Sequence, residues 1–218
     1  MTRTADVVVA GAGLNGAATA YFLHRQGFRR IVVVDAAVPG VAGASGASVG
    51  LLRTHYDNRP ETELAARSMP YFRNWEEVTG EPCDWSQTGF LRFVETHELA
   101  KMEQNVAVQR EFGETIEILS PAEVQKRFPQ FRTDDIGAAV FEPGSGTASN
   151  SKATLTLLAR TAADGVAVEA NCRVLRLETE AGRIAGVVTE RERIATPLVV
   201  LAAGVASRQL AATCGVEV

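Results

Sequence analysis

From Asp6 the chain reads Asp-Val-Val-Val-Ala-Gly-Ala-Gly-Leu-Asn-Gly, and no other stretch constrains its fold so tightly. Val7 to Ala10 is an apolar run of strand length. It enters a turn in which Gly11, Gly13 and Gly16 stand in GxGxxG spacing and open a helix. Gly11 permits the tight turn, Gly13 lets a pyrophosphate approach the backbone, and Gly16 lets helix and strand pack closely. The helix N-terminus offers unpaired N–H groups and a partial positive charge to the phosphates. Asn15 to Gln26 has helical periodicity, with Leu14, Ala17, Ala18, Tyr21 and Arg25 on one stripe and Gly27 as C-cap. Ile31 to Val34 is a second strand, and Asp35 ends it at roughly the 20-residue distance from the glycines where an acid meets ribose hydroxyls. The whole predicts a dinucleotide-binding βαβ unit.

The residues after Asp35 bear on which dinucleotide it is. A nicotinamide domain continues with another helix and a third parallel strand. Here Val38 to Gly50 is too rich in Gly and small residues to predict a stable helix. Its N–H groups and the hydroxyls of Ser45 and Ser48 suit the path of a long cofactor; a flexible surface loop is the other reading. An acid instead of an arginine at the strand end also disfavours a 2′-phosphate, hence NADP.

Composition narrows the class. The chain has 218 residues, 46% apolar and 22% charged, with a formal net charge of −4. No basic patch suggests nucleic acid, no apolar run is long enough to span a membrane, and no signal peptide is evident, so a cytoplasmic protein is expected. Cys83, Cys172 and Cys214 lie far apart without metal-ligand spacing, so reduced thiols and no metal are expected.

Beyond residue 58 the order of elements changes. Glu61 to Thr79 is a helical pattern with a kink expected at Pro70, Thr88 to Val94 alternates like a strand, and Leu99 to Phe112 is again helical. Ser120-Pro121-Ala122-Glu123 carries the capping-box signature, and Ala138 to Glu142 is a short strand. From Ser149 the dinucleotide fold returns. Ser151 to Ala163 predicts a helix with Leu155, Leu158, Ala159 and Ala162 inward, and Val166 to Glu169 a strand. Val174 to Glu178 and Ile184 to Thr189 form a hairpin about Ala181-Gly182, and Leu198 to Ala202 is a strand entering Ala203-Gly204.

Gly11 to Gly16, Asp35, the Gly43-Ala44-Ser45-Gly46 turn and Leu51-Leu52-Arg53-Thr54-His55-Tyr56 resemble the amino-terminal half of FAD-dependent amine oxidoreductases. These form the D-amino-acid oxidase superfamily, and the resemblance is to its sarcosine oxidase beta-subunit and dimethylglycine dehydrogenase group. Asn74-Trp75-Glu76-Glu77, Thr88-Gly89-Phe90-Leu91, Glu142-Pro143-Gly144-Ser145-Gly146 and Val199 to Gly204 follow in the family's order, so the resemblance spans essentially the whole chain.

The resemblance implies an α/β fold: a discontinuous Rossmann-like FAD-binding domain, parallel sheet plus β-meander, at residues 1–57 and 148–218. Residues 58–147 are expected to form part of an α+β substrate domain, left incomplete. Expected cofactor contacts are Gly11, Ala12, Gly13, Leu14, Asn15, Gly16, Asp35, Ala36, Ser45, Gly46, Ser48, Ala203 and Gly204, with Val174 near the adenine through its backbone. The cysteine that monomeric sarcosine oxidases use would lie beyond Val218, and the amino-terminal histidine of the dimethylglycine dehydrogenase type is not evident before Thr54. Non-covalent FAD is therefore expected.

The implied chemistry is oxidation of the C–N bond of a small secondary or tertiary amino acid, sarcosine-like, by hydride transfer to flavin. Arg53 stands where the family's oxidases pair an arginine with the substrate carboxylate; pairing with a cofactor phosphate or a surface acid is the other reading of it. The family's preceding arginine is replaced by Gly50. His55 is expected near the flavin, where its charge would change near neutral pH, or else bonded to a neighbouring backbone group. His24 is expected to be solvated, and His97 has no partner in the sequence pattern. Family members continue beyond Val218, so the chain is expected to be a fragment, a chain shortened by design, or a subunit completed by another. A non-catalytic FAD-binding subunit and an NAD-dependent dehydrogenase are the alternative functions.

Overall fold

A computed structural model describes residues 3–217. The first elements are β1 (Arg3–Thr4), β2 (Val7–Ala10), α1 (Leu14–Arg25), β3 (Ile31–Val34) and α2 (Gly43–Ala47). Next come β4 (Leu51–Leu52), α3 (Arg59–Arg73), α4 (Trp75–Thr79), β5 (Phe90–Val94), α5 (Leu99–Glu111), β6 (Glu117–Leu119), α6 (Pro121–Arg127), β7 (Ala138–Glu142) and β8 (Gly146–Thr147). The chain closes with α7 (Asn150–Ala163), β9 (Ala167–Glu169), β10 (Val174–Glu180), β11 (Arg183–Thr189), β12 (Arg193–Ala195), β13 (Val199–Leu201) and α8 (Ser207–Ala212).

These elements fall into two compact units. The first comprises the described parts of Met1–Val49, Thr79–Cys83 and Ser149–Val218; the second comprises Gly50–Val78 and Asp84–Ala148. Residues 50–57, expected in the cofactor domain, belong to the second unit because β4 pairs antiparallel with β8, Leu51 opposite Thr147.

In the first unit a parallel sheet runs in the order β13-β2-β3-β9. All of Val7 to Ala10 and Ile31 to Val34 are buried, as continuous apolar runs in a sheet covered on both faces must be. Val8, Val32 and Val34 pack on Leu177, Val187 and Ile194 of the meander β1-β12-β11-β10. Helices α1 and α7 pack together, with α1 against β2 and β3 and α7 against β9.

The inward stripe of α1 is Gly16, Ala17, Ala20 and Tyr21, with Ala18 only half-buried and Arg25 exposed. The stripe of α7 also differs from expectation. Ala153, Thr154, Leu157, Leu158 and Thr161 are buried, whereas Leu155 is 46% exposed. The threonines go inside because Thr154 and Thr161 donate their hydroxyls to the Asn150 and Leu157 carbonyl oxygens one turn back.

In the second unit β5-β7-β6 is an antiparallel sheet. Val94, Ala138 and Val140 pack on Met102 and Val106 of α5, while Leu119 and Ala139 pack on Val124 of α6. The capping box is formed: Ser120 accepts the Glu123 N–H, and Glu123 accepts the Ser120 N–H. Helix α3 runs past Pro70 and breaks at Asn74, whose side chain and N–H both bond the Pro70 carbonyl oxygen.

Candidate functional site

The glycines of the first unit are placed by contact. Gly11 has φ +108°, and a Cβ on it would lie 2.3 Å from the Ala202 carbonyl oxygen. A Cβ on Gly16 would lie 1.9 Å from the Gly11 carbonyl oxygen, and one on Gly13 would lie 3.0 Å from the Ser45 hydroxyl. Helix α1 starts on extended Gly13 with no side-chain cap and no acidic residue in its first turn. Its N-terminal charge is thus left for an anion rather than neutralised within the chain.

The side chains around this turn suit the same ligand. Asp35 receives the Ala12 N–H at 2.6 Å on one carboxylate oxygen and the Ala37 N–H at 2.8 Å on the other. The Ser45 hydroxyl accepts the Leu14 N–H at 2.9 Å, which leaves its own hydrogen to donate to a phosphate oxygen. Ser45 and Gly46 reach this place because residues 43–47 do form one helical turn, α2, where a loop was expected. Gly43 opens it at φ +69°, and a Cβ on Gly46 would sit 2.0 Å from the Val41 carbonyl oxygen. A residue's backbone entry, not its helix propensity, decides so short a turn.

On the far sides of the cradle, the Ala202 N–H bonds the Ala10 carbonyl oxygen, which puts Ala203 beside Gly11. The Cys172 N–H bonds the Asp35 carbonyl oxygen, which carries Val174 to the same end of β3. Asn15, Ala36, Ser48 and Gly204 are exposed around this rim.

Arg53 and His55 are in the second unit. The Arg53 guanidinium donates to the His55 carbonyl oxygen and lies over the rings of Tyr56 (4.5 Å) and Phe90 (5.4 Å). No acidic side chain pairs with it among the described residues. It lines a cleft of about 270 Å³ with Leu52, Glu61, Leu64, Met69 and Phe72. Stacking on rings holds a guanidinium plane in place while leaving its edge for a carboxylate.

His55 is 1% exposed and its Nδ1 lies 3.2 Å from the Gln109 side-chain oxygen. Burial, then the charge of Arg92, push its pKa below the ordinary value, so the ring is neutral at pH 7. Thr54, Gln109, Glu142 and Ser145, buried around it, carry no local sequence signal that marks them as a group. The other two histidines differ from expectation: His24 is half-buried with an unpartnered Nδ1, and His97 pairs with Glu95 at 3.3 Å. Cys83, Cys172 and Cys214 form no disulfide, and no cluster of metal-ligating residues is found among the described residues.

Comparison with known proteins gives the family. Residues 6–218 match the model of the FAD dependent oxidoreductase family. Mouse mitochondrial sarcosine dehydrogenase is 31% identical over 225 residues, covering 100% of this chain and 24% of that protein. The mouse mitochondrial pyruvate dehydrogenase phosphatase regulatory subunit is 26% identical over 201 residues, 92% of this chain and 23% of its own length. The chain thus spans about a quarter of the length of these relatives. Among solved structures, L-proline dehydrogenase from P. horikoshii superimposes with a TM-score of 0.89 at 22% identity, over 100% of this chain and 57% of that one. A helix N-terminus without an acid in its first turn, glycines pressed against backbone and an acid at the end of β3 suit an FAD pyrophosphate and ribose, and the chain belongs to the family of FAD-dependent oxidoreductases.

Proposed function

We propose that this chain is the cofactor-binding part of an enzyme that oxidises the C–N bond of a small secondary or tertiary amino acid, sarcosine-like in size. The observation that carries the reading is Arg53, its guanidinium stacked on Tyr56 and Phe90 at the wall of an otherwise largely apolar cleft. A carboxylate bound bidentately there would be fixed in orientation as well as position. The likeness to sarcosine dehydrogenase supports the substrate class.

When bound, FAD supplies the acceptor for the hydride equivalent that leaves the carbon next to nitrogen. The chain's own part is to hold and orient. Ser45 and the N-terminus of α1 receive the pyrophosphate, Asp35 the ribose hydroxyls, and the backbone at Val174 and Ala203-Gly204 the adenine side and the remaining cofactor edge. Non-covalent attachment remains the expectation for this cofactor. The first unit is taken as the cofactor domain and the second as part of the substrate domain. His55, neutral at pH 7, faces Gln109 through its Nδ1.

The test is Arg53→Lys in the complete polypeptide, with steady-state kinetics on an N-methyl amino acid. A point charge replaces a planar fork, so KM for the carboxylate substrate is expected to rise by about tenfold or more while kcat changes less. An unchanged KM would remove the proposal. A second reading is a non-catalytic FAD-binding subunit, favoured by the likeness to a phosphatase regulatory subunit. It predicts bound flavin with no reduction by any amino acid. The mouse sarcosine dehydrogenase is mitochondrial by name, a different compartment from the cytoplasm expected above.

A further inference from the structure

Thr54, His55, Gln109, Glu142 and Ser145, buried polar residues of the second unit, are joined in one chain of hydrogen bonds. Glu142, the last residue of β7, is 1% exposed and pairs with no cation among the described residues. Its Oε2 accepts the Thr54 N–H at 2.8 Å, the Thr54 hydroxyl at 2.9 Å and the Ser145 hydroxyl at 2.8 Å; Oε1 has no partner. Oε2 receives the Thr54 N–H and so acts as an acceptor, which commits the Thr54 hydroxyl hydrogen to it. The Thr54 oxygen then accepts from Gln109, whose Nε2 lies 3.0 Å away. With its amide nitrogen turned to Thr54, Gln109 presents its oxygen to His55 Nδ1 at 3.2 Å. That nitrogen must therefore carry the hydrogen, and in the neutral ring Nε2 carries none.

The same segment holds Arg53. Thr54 is fixed at both its N–H and its hydroxyl, His55 is fixed at its ring, and the Arg53 guanidinium rests on the His55 carbonyl oxygen. We propose that Glu142, acting through Thr54 and Gln109, is a positioning residue for the Arg53–His55 segment, and that its relay holds His55 in the Nδ1–H tautomer. The positioning role rests on the reading of Arg53 as a carboxylate ligand; the tautomer does not.

Removing the anchor and replacing it by an isostere have different consequences. In Glu142→Gln the Thr54 N–H still requires an oxygen, so the carbonyl takes the place of Oε2 and the relay keeps its direction. In Glu142→Leu and Gln109→Met it has no anchor or no link. The charges and dipoles facing His55 come from Arg92 on β5, Glu142 on β7, Gln109 on α5 and Arg53 on its own segment. Loss of Glu142 or of the Gln109 hydrogen bond lowers the His55 pKa further, which leaves the neutral tautomer readable in every variant.

The chain has three histidines, so His24→Gln with His97→Gln leaves His55 as the only imidazole. Long-range ¹H–¹⁵N spectra of the ¹⁵N-histidine-labelled double variant are expected to show a protonated Nδ1 and a bare Nε2 at pH 7. The added substitution Glu142→Gln is expected to keep that pattern, and Glu142→Leu and Gln109→Met to lose it. A protonated Nε2 in the double variant overturns the relay, as does a pattern that survives Glu142→Leu and Gln109→Met. In the complete polypeptide, Glu142→Leu is expected to raise KM for the carboxylate substrate by about tenfold with kcat nearly kept, the size of one lost charged hydrogen bond, and Glu142→Gln to restore it. A fall in kcat alone, or no rescue by Gln, overturns the positioning role. If Arg53→Lys leaves KM unchanged while the spectra are as expected, the carboxylate reading and the positioning role tied to it fall and the tautomer stands.

Discussion

Gly16 is held chiefly by the Gly11 carbonyl group. A Cβ there would lie 1.9 Å from the Gly11 carbonyl oxygen and 3.4 Å from the Ala202 Cβ, and backbone on that side cannot rotate away as a flexible side chain would. Gly16→Ala is therefore expected to destabilise the chain by roughly 1–3 kcal/mol, the usual size of overpacking, and to weaken FAD binding with it. A urea melt checks this, the midpoint falling with little change of slope. Gly11, Gly13, Gly16 and Asp35 were legible because their work is local: a turn, a close approach and a strand end lie within one βαβ unit. Thr54, Gln109 and Glu142 were not. Their bonds join residues 55 and 88 positions apart, and a buried polar side chain whose partner is that distant leaves no periodicity to read.

At the scale of elements, strands buried on both faces announced themselves, and Val7–Ala10, Ile31–Val34 and Ala138–Glu142 have the bounds the apolar runs predict. The two-residue strands β1, β4 and β8 were silent, since pairing with a partner defines them rather than their own composition. The inward face of α7 was misplaced because periodicity counts apolar residues, whereas Thr154 and Thr161 satisfy their hydroxyls on the helix itself and can be buried. The β10–β11 hairpin was legible from Ala181-Gly182, yet its turn is strained: Ala181 has φ 49° and Gly182 φ 75°. Both central residues of such a turn are left-handed, a conformation in which Asn is tolerated and Ala is not. Ala181→Asn is expected to raise stability by about 0.5–1 kcal/mol, seen as a higher thermal midpoint, because it relieves part of the left-handed penalty. An unchanged or lower midpoint would count against this account of the turn.

For the molecule as a whole, protons and cofactor are the two ligands that the fold must answer to. Asp6, Glu123, Asp135 and Glu178 are held below the ordinary carboxylate range, chiefly by hydrogen bonds from Arg30, Ser120, Arg132 and Arg193 respectively. Their contribution is complete above the ordinary carboxylate values of about 4 and is lost as pH falls through and below them. His55, lowered chiefly by burial, has the same sign at higher pH: its contribution is complete above about 6.5 and declines below it. Urea midpoints are therefore expected to fall from pH 7.5 to pH 5 and again to pH 3; a maximum at pH 5 would contradict this. No helix among the described residues is long and apolar enough to cross a membrane. The central claim is that the turn of GxGxxG, Asp35 and Ser45 is an FAD cradle. Its most direct test is to titrate the purified, folded chain with FAD and follow the visible absorption through gel filtration and acid precipitation. Flavin that elutes with the polypeptide and is released by acid is the predicted result. A folded chain that takes up no FAD, or that keeps flavin through acid, would contradict the account.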